Sequence, residues 1–408
     1  MGAVGAWRRT GVVVAGAAAW MALACSSPPV AAADPVLGLA DDGSLVTAPV
    51  NPDAVLSAGA AHGARFVRLI AYMGSYPGDE RYLMAAQRAA ARGFGLDVVL
   101  ALPFGGAQAG VTAPAFAAWA AQLAARLAAT GAPLRLSVLN EPDLVLSAGD
   151  TCDPVSAARI VSEAGYVPVR HRVRVTIRRK RIVRRIVRRH GHRRVLRRRL
   201  VWKVHRWKTV TTLGATSTSH TVSSVSVAQG CLSVRRARRA ATFLEAAIPA
   251  VRAAAPGIPV GAGETSPCWG VEVFMRELAR VGIPAVDRWA HHPYVYAQDG
   301  RQVPSPPGWM GADRLPDEAA LVRSLFGAGT ALDVTEFGVR HSTVPDPHVR
   351  AAIWRAAVAS ACAAQVRSIV AYQWTPTPVD EGRSWDTAIM GDGLSETPES
   401  EQLPTLRC

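Results

Sequence analysis

Leu134-Arg135-Leu136-Ser137-Val138-Leu139 is an apolar run of strand length, and it breaks off directly into Asn140-Glu141-Pro142. Runs of the same kind recur at Val36–Leu39, Phe66–Ala71, Asp97–Leu102, Ile258–Gly261, Val286–His291, Ala331–Thr335 and Ile369–Trp374. Each spans four to seven residues without strict polar alternation, the pattern of parallel strands covered on both faces. Alanine-rich helical stretches lie between them, near Pro52–Ala61, Asp79–Arg92, Ala113–Thr130, Val234–Ala254, Val271–Val281, Pro316–Phe326 and Pro347–Gln365. Eight strands alternating with helices predict an α/β fold of the (β/α)8 TIM barrel type, which needs about 250 residues. A doubly wound open sheet would carry a glycine-rich phosphate turn after its first strand, and Asp41-Asp42-Gly43 is not one. The barrel is expected over residues 34–408, interrupted by an Arg-rich insert at 166–230, between strand four and helix four.

The charge balance isolates that insert. The 408-residue chain has 46 Lys and Arg against 31 Asp and Glu, a formal net charge of +15. Arg170 to Lys208 holds 19 of the basic residues and no acid; taking them away leaves 27 basic residues against 31 acids. A mildly acidic globule therefore carries one strongly cationic segment. With 49% apolar residues the globule can build a large core, and wholesale disorder is excluded.

The first residues read as an export signal. Arg8-Arg9 precede an apolar run from Gly11 to Ala24, and Ala31-Ala32-Ala33 supplies a small-residue cleavage site before Asp34. The run is shorter than the roughly 20 residues of a membrane span. Leu23-Ala24-Cys25 as a lipoprotein site and the paired arginines as a twin-arginine signal are two rival readings of the same segment. The mature protein is thus expected to be secreted or held at the cell surface, where disulfides persist. Of the cysteines after Ala33, Cys152 and Cys231 bracket the insert and are expected to close it off as a side loop. Cys362 with Cys408 is a second candidate pair, and one thiol is left over.

In a TIM barrel the chemistry sits at the C-terminal ends of the strands. Polar residues collect there: Arg68 at strand two, Asn140 and Glu141 after strand four, Glu264 after strand five. His291, His292, Tyr294 and Tyr296 follow at strand six, Glu336 at strand seven and Trp374 at strand eight. Two glutamates across one barrel mouth suit glycosidic cleavage. One must be protonated to donate to the leaving oxygen, and the other ionised to attack the anomeric carbon or activate water.

Leu139-Asn140-Glu141-Pro142 and Thr335-Glu336-Phe337-Gly338 resemble the acid/base and nucleophile motifs of clan A glycoside hydrolases, retaining (β/α)8 enzymes of the cellulase-like and β-xylosidase-like kind. The resemblance runs from about Val36 to Thr397, the insert excepted. It implies that Glu141 is the acid/base and Glu336 the nucleophile of a double displacement on a β-linked glycan or glycoside. It further implies sugar-binding positions at Arg68, Asn140, His292, Tyr294 and Trp374. The residues alone leave other uses open: Arg68 as an ion-pair partner inside the barrel, His292 and Tyr294 as partners of the neighbouring turn, Trp374 as core. Glu264 and His291 stay outside the catalytic set. The chemistry requires no cofactor or metal, and no Cys/His cluster has zinc-ligand spacing. The partner expected in the site is carbohydrate.

The insert has its own pattern. Val167, Val169, Val173, Val175 and Ile177 interleave with Arg170, Arg172 and Arg174, a strand with one apolar and one cationic face. The sequence nearly mirrors itself about Gly191, which predicts a long hairpin turning there. The pairs Ile182-Val183 and Ile186-Val187 also fit a basic amphipathic helix, and Thr211–Ser226 reads as a mobile return. Weak, salt-sensitive contact of Arg170–Lys208 with a polyanion or an anionic cell surface is expected. Sequence-specific nucleic-acid recognition is not, since no recognised motif is present and only Trp202 and Trp207 are available for stacking. The alternative is therefore an exported glycan- or polyanion-binding protein with a non-catalytic barrel.

Overall fold

The computed structural model describes residues 34–47, 50–74, 78–103, 108, 110–146, 152–189, 192–215, 225–376 and 386–408. The expected export signal, 1–33, lies outside the described residues, as do the expected turn at Gly191 and most of the serine- and threonine-rich return. Eight parallel strands close a barrel: β1 Val36–Ala40, β2 Phe66–Tyr72, β3 Gly95–Ala101, β4 Leu134–Val138, β5 Val260–Thr265, β6 Arg288–His291, β7 Ala331–Phe337 and β8 Ser368–Tyr372. Neighbours in sequence are neighbours in the sheet, and β8 pairs back onto β1 from Val36↔Ser368 to Ala40↔Tyr372. Each of the eight expected strands is present, with ends moved by no more than a few residues.

Helices fill the crossovers: α1 Pro52–Ala61, α2 Asp79–Ala91, α3 Ala113–Ala128, α4 Pro154–Glu163, α5 Val227–Ala254, α6 Val271–Val281, α7 Leu315–Phe326, α8 Pro347–Ala364 and the short α9 Pro398–Gln402. Alternation along a strand sends one side chain out to these helices and the next into the barrel. Outward-facing Trp289 stacks on Phe326 of α7 at 4.3 Å, and outward-facing Phe337 meets Trp354 of α8 edge-on at 4.5 Å.

Inward-facing Arg288 lies wholly buried in the barrel. It donates to Asp97 with both terminal nitrogens, to Asp333 at 3.3 Å and to Ser137 at 2.8 Å. Gly261 makes room for it, because a Cβ there would stand 2.5 Å from Arg288 Cγ. Asp333 also accepts from Arg367 at 3.1 Å and from Ser368 at 3.0 Å. A charge network thus crosses the interior of this barrel beside inward-facing apolar residues such as Phe66, Ile70, Val99 and Val370, and removing one partner from such a network strands the others in a low dielectric.

The insert is a two-stranded ribbon. Tyr166–Arg189 and His192–Ala215 pair antiparallel in unbroken register, from Tyr166↔Ala215 to Arg189↔His192. The helical reading of Ile182–Val187 is replaced by strand. Thr211–Ala215, expected in the return, belong to the second strand. The insert ends earlier than 230, because α5 begins at Val227, capped by Ser226 and Gln229 in a reciprocal capping box. The helix α4 before the ribbon was not expected either. At the base of the ribbon, Tyr166 and Leu213 pack with Ile160, Val161, Val234 and Val273 in a small core of their own. The Cys152–Cys231 bridge pins α4 to α5 beside it, and a second bridge joins Cys362 to Cys408, leaving Cys268 as the free thiol among the described residues. Further out, Trp202 and Trp207 are exposed, and Arg172 lies 5.7 Å from the Trp207 ring. No described helix is long and apolar enough to cross a membrane.

Arg288→Met is expected to lower unfolding stability by about 3 to 5 kcal/mol, because it leaves Asp97 and Asp333 buried without their central cation. Denaturant unfolding of the two proteins measures it. A loss below about 1 kcal/mol would mean that Arg135 and Arg367 suffice to neutralise the two carboxylates.

Candidate active site

The C-terminal ends of β2, β4, β5, β6 and β7 bring five ionisable groups together. Arg68, wholly buried, points up the barrel from β2. Its guanidinium pairs with Glu336 at 2.8 Å and with Glu264 at 3.0 Å, and it donates to the Asn140 side-chain oxygen at 3.2 Å. His292 sits beside it. Nε2 donates to Glu264 at 3.0 Å and Nδ1 to Glu141 at 3.1 Å, with Glu336 at 3.5 Å. The Tyr294 hydroxyl donates to the second Glu336 oxygen at 2.5 Å. Both oxygens of Glu336 are therefore held from beneath.

Local backbone explains why these side chains converge. The register between β5 and β6 shifts between Ala262 and Thr265, and that between β7 and β8 shifts between Val334 and Phe337. A bulge lets two consecutive residues face one side. Asp333 and Thr335 point inward by alternation, and the bulge adds Glu336 to them. Thr335 Oγ1 then donates to Glu264 at 2.6 Å. Gly263 supplies the other bulge with φ of +100°, and a Cβ there would stand 2.6 Å from the Ala290 carbonyl oxygen. Leu139, Glu141 and Glu264 adopt positive φ values of 71°, 41° and 45°. For non-glycine residues this costs roughly 1 kcal/mol or more each. The strained segments are tied to one another and to their surroundings: Glu141 N donates to the Glu264 carbonyl at 2.9 Å, and Asp143 takes two hydrogen bonds from Ser266, at 3.0 and 2.7 Å. Arg236 of α5 donates to the Asp143 and Leu146 carbonyls, fixing the loop from the other side.

Two basic groups face three carboxyl groups. Burial and the Arg68 charge 3.2 Å away work against the charge on His292, but Glu336, Glu141 and Glu264 outweigh them and push the imidazole up to about 10. Burial likewise opposes ionisation of Glu264, yet Arg68 and His292 hold it well below the usual carboxylate range. Arg68 is locked in its charged form by Glu336 and Glu264 despite its burial. One atom each of Glu141, His292 and Glu336 lie within 4.8 Å of one another, close enough to surround a cation.

Alternation puts the two adjacent histidines on opposite faces of the strand. His292 faces the site. His291 faces out, where it meets Thr265 at 2.9 Å and the Met310 carbonyl at 2.8 Å, and burial pushes it down to about 3. Trp374 is not brought to the site. It is fully buried, edge-on to His62 of the α1 C-cap at 5.8 Å, and offers no open face to a sugar ring. Arg68 and His292 are also sealed off, so they position the glutamates and leave Glu141, Asn140, Glu336 and Tyr294 nearest the opening. Glu264, set aside in the sequence, is the anion on which Arg68, His292 and Thr335 converge. Three further groups went unread: Asp42, Tyr72 and Tyr372, at the ends of β1, β2 and β8. Burial, together with the charge of Glu336, pushes Asp42 up to about 7 and raises the Tyr372 phenol, and burial with the charge of Asp42 raises Tyr72. The strand-end rule that found Glu141 would have found all three.

No family model and no curated protein matches this chain. Solved structures do match. A family 39 glycoside hydrolase from the gut symbiont Bacteroides cellulosilyticus superposes with a TM-score of 0.53 at 11% identity, over 92% of this chain and 64% of that one. An exo-β-1,4-mannosidase from Opitutaceae bacterium strain TAV5 gives 0.53 at 12%, over 91% of this chain and 59% of that one. Against both, this chain spans less than two thirds of the other's length. A broad-specificity endoglucanase from Clostridium longisporum gives 0.51 at 10%, over 90% of this chain and 94% of that one. What is shared is the barrel.

His292 gains its proton affinity on folding, from an unfolded value near 6.5 to about 10. Its contribution to stability is therefore fully present below pH 6.5 and lost as pH rises through 10. Denaturant midpoints between pH 6 and 10 should fall for the native protein and fall less steeply for His292→Gln. Parallel curves would show that the imidazole is neutral in the fold.

Proposed function

We propose that this chain is a retaining glycoside hydrolase, exported from the cell, that cleaves an O-glycosidic bond of a β-linked glycan or glycoside. The observation that carries the proposal is the spacing of the two glutamates, whose nearest oxygens lie within 4.8 Å. Retaining enzymes keep their carboxyl groups about 5 to 5.5 Å apart, whereas inverting ones need about 6.5 to 9.5 Å to admit a water between them. The barrel superposition on glycoside hydrolases and the two disulfides are compatible with the reading.

In the first step Glu336 attacks the anomeric carbon while Glu141 gives its proton to the departing oxygen. In the second, Glu141 takes a proton from water, and that water displaces Glu336. Arg68 and Tyr294 aim the two Glu336 oxygens. Because the Asn140 oxygen is engaged by Arg68, its amide nitrogen is left to donate to the sugar 2-hydroxyl. Asp42, Tyr72 and Tyr372 would meet the other hydroxyls.

Proton NMR of the first turnovers on β-glycosides is expected to show the β-anomer of the released sugar before mutarotation; an α-anomer would overturn retention. Glu336→Ala should abolish turnover, and Glu141→Ala should reduce it by about 10²- to 10⁴-fold, least for substrates whose leaving group needs no proton. The competing reading, a non-catalytic barrel that binds polyanions or glycans, is favoured only by the ribbon. It predicts a protein whose binding survives Glu336→Ala.

The ribbon serves, in this proposal, as an electrostatic attachment to anionic polymer at the cell surface. Its register sets Arg184 opposite Arg197 and Arg188 opposite Arg193. So dense a run of basic residues, 19 from Arg170 to Lys208 with no acid among them, attracts polyanions. Deleting Arg170–Lys208 should shift elution from heparin to clearly lower salt; an unchanged elution would remove this role.

A further inference from the structure

Beside Glu141, on the side of the barrel away from β1 and β2, lies a cavity of about 190 Å³. Its described walls come from the loops after β4, β5, β6 and β7, and its character is set by Val295, Trp309, Val339 and Val344 together with the ring of Tyr294. Three of the polar groups at its edge are engaged elsewhere. The Ser266 hydroxyl donates to Asp143 at 2.7 Å, Trp309 Nε1 to the Tyr294 carbonyl at 3.4 Å, and Arg340 Nε to Asp386 at 3.1 Å. Trp309 is braced edge-on by Trp269 at 5.2 Å and by Tyr296 at 5.5 Å, which fixes the aromatic wall.

The two flanks of the catalytic pair therefore differ in chemistry. Toward β1, β2 and β8 stand Asp42, Tyr72 and Tyr372, suited to the hydroxyls of a sugar. Toward β5, β6 and β7 the cavity offers apolar surface. A second sugar placed there would lose water from several hydroxyls and find few replacement partners, at roughly 1 to 3 kcal/mol for each one left unpaired. An apolar ring loses nothing comparable. Size points the same way, since a dry apolar cavity of about 150 Å³ accepts benzene.

Resting on the hydrolase reading above, we infer that this cavity is the leaving-group site and that it takes a single aromatic ring, so that the substrate is a β-glycoside of a monocyclic aromatic alcohol or phenol. The chemistry balances. Glu336 forms a bond to the anomeric carbon as the bond to the aglycone oxygen breaks, and the Glu141 proton passes to that oxygen to release the neutral alcohol. Water then returns a proton to Glu141 and its hydroxyl to the anomeric carbon as the bond to Glu336 breaks. Sugar and aromatic alcohol leave, with no other reactant consumed.

The test uses benzyl alcohol as probe and benzyl β-glycosides against β-linked disaccharides of the same glycone, whose leaving alcohols are of similar acidity. Cys268 lines the cavity, so its alkylation by iodoacetamide, followed by mass spectrometry of its peptide, reports occupancy without turnover. Benzyl alcohol should slow that alkylation at saturation, and kcat/KM should favour benzyl glycosides by at least tenfold. Val295→Asp, which puts a charge in the wall, should cut both effects about tenfold or more. Protection without hydrolysis of any glycoside would keep the aromatic site and sink the hydrolase reading. Hydrolysis with no protection, or with disaccharides preferred, would overturn the aromatic site and leave the hydrolase standing.

Discussion

Everything at the mouth of this barrel depends on a guanidinium that cannot reach water. Arg68 has lost its hydration, and only the carboxylates it touches can compensate for that loss. Glu336 and Glu264 lie on different strands, so the requirement to surround one cation dictates where β5 and β7 must end relative to β2. His292 repeats the arrangement one step higher, reaching from Glu264 up to Glu141. The result is a ladder of alternating charges in which only the topmost acid, Glu141, keeps substantial access to solvent. An array of this kind is preorganised: the groups are oriented by each other before any ligand arrives, and little rearrangement is left for the moment of reaction.

Such orientation has a backbone cost, and the cost is concentrated where the chemistry is expected. Two bulges and three left-handed non-glycine residues lie within the segments that carry Asn140, Glu141, Glu264 and Glu336. A regular strand would have sent Glu336 outward to α8, where Phe337 now packs. The extra inward residue exists because the strand departs from its period at one point, and hydrogen bonds from neighbouring loops hold it there.

The barrel was legible because buried parallel strands leave continuous apolar runs, and eight of them survive in plain view. The glutamate pair was legible because the strand-end rule needs only a strand boundary and a polar residue after it. Facing was harder. His291 and His292 are adjacent, and their opposite fates follow from the phase of β6, which a single histidine pair does not reveal. Trp374 lies past the end of β8, where the chain has already turned toward α1, so a rule about strand ends carried it too far. Asp42, Tyr72 and Tyr372 obey that same rule but have no second motif to single them out. The start of α5 was written in Ser226 and Gln229, a capping signal masked by the serine-rich stretch before it.

The Cys152–Cys231 bridge bears on how the chain finds its fold. Strands β4 and β5 must pair although about 120 residues separate them, against about 30 between most other neighbouring strands, and each doubling of a loop adds roughly 0.6 kcal/mol of closure entropy. The bridge short-circuits the ribbon, so that the path from β4 through the disulfide to β5 shrinks to nearly the length of an ordinary crossover. Once oxidised, the barrel closes almost as if the ribbon were absent, and ribbon length becomes a quantity that can drift without slowing the assembly of the barrel. Reduced, the same chain must search for its fourth and fifth strands across the whole insertion. The position of two sulfur atoms thereby uncouples the length of the ribbon from the entropy of closing the barrel.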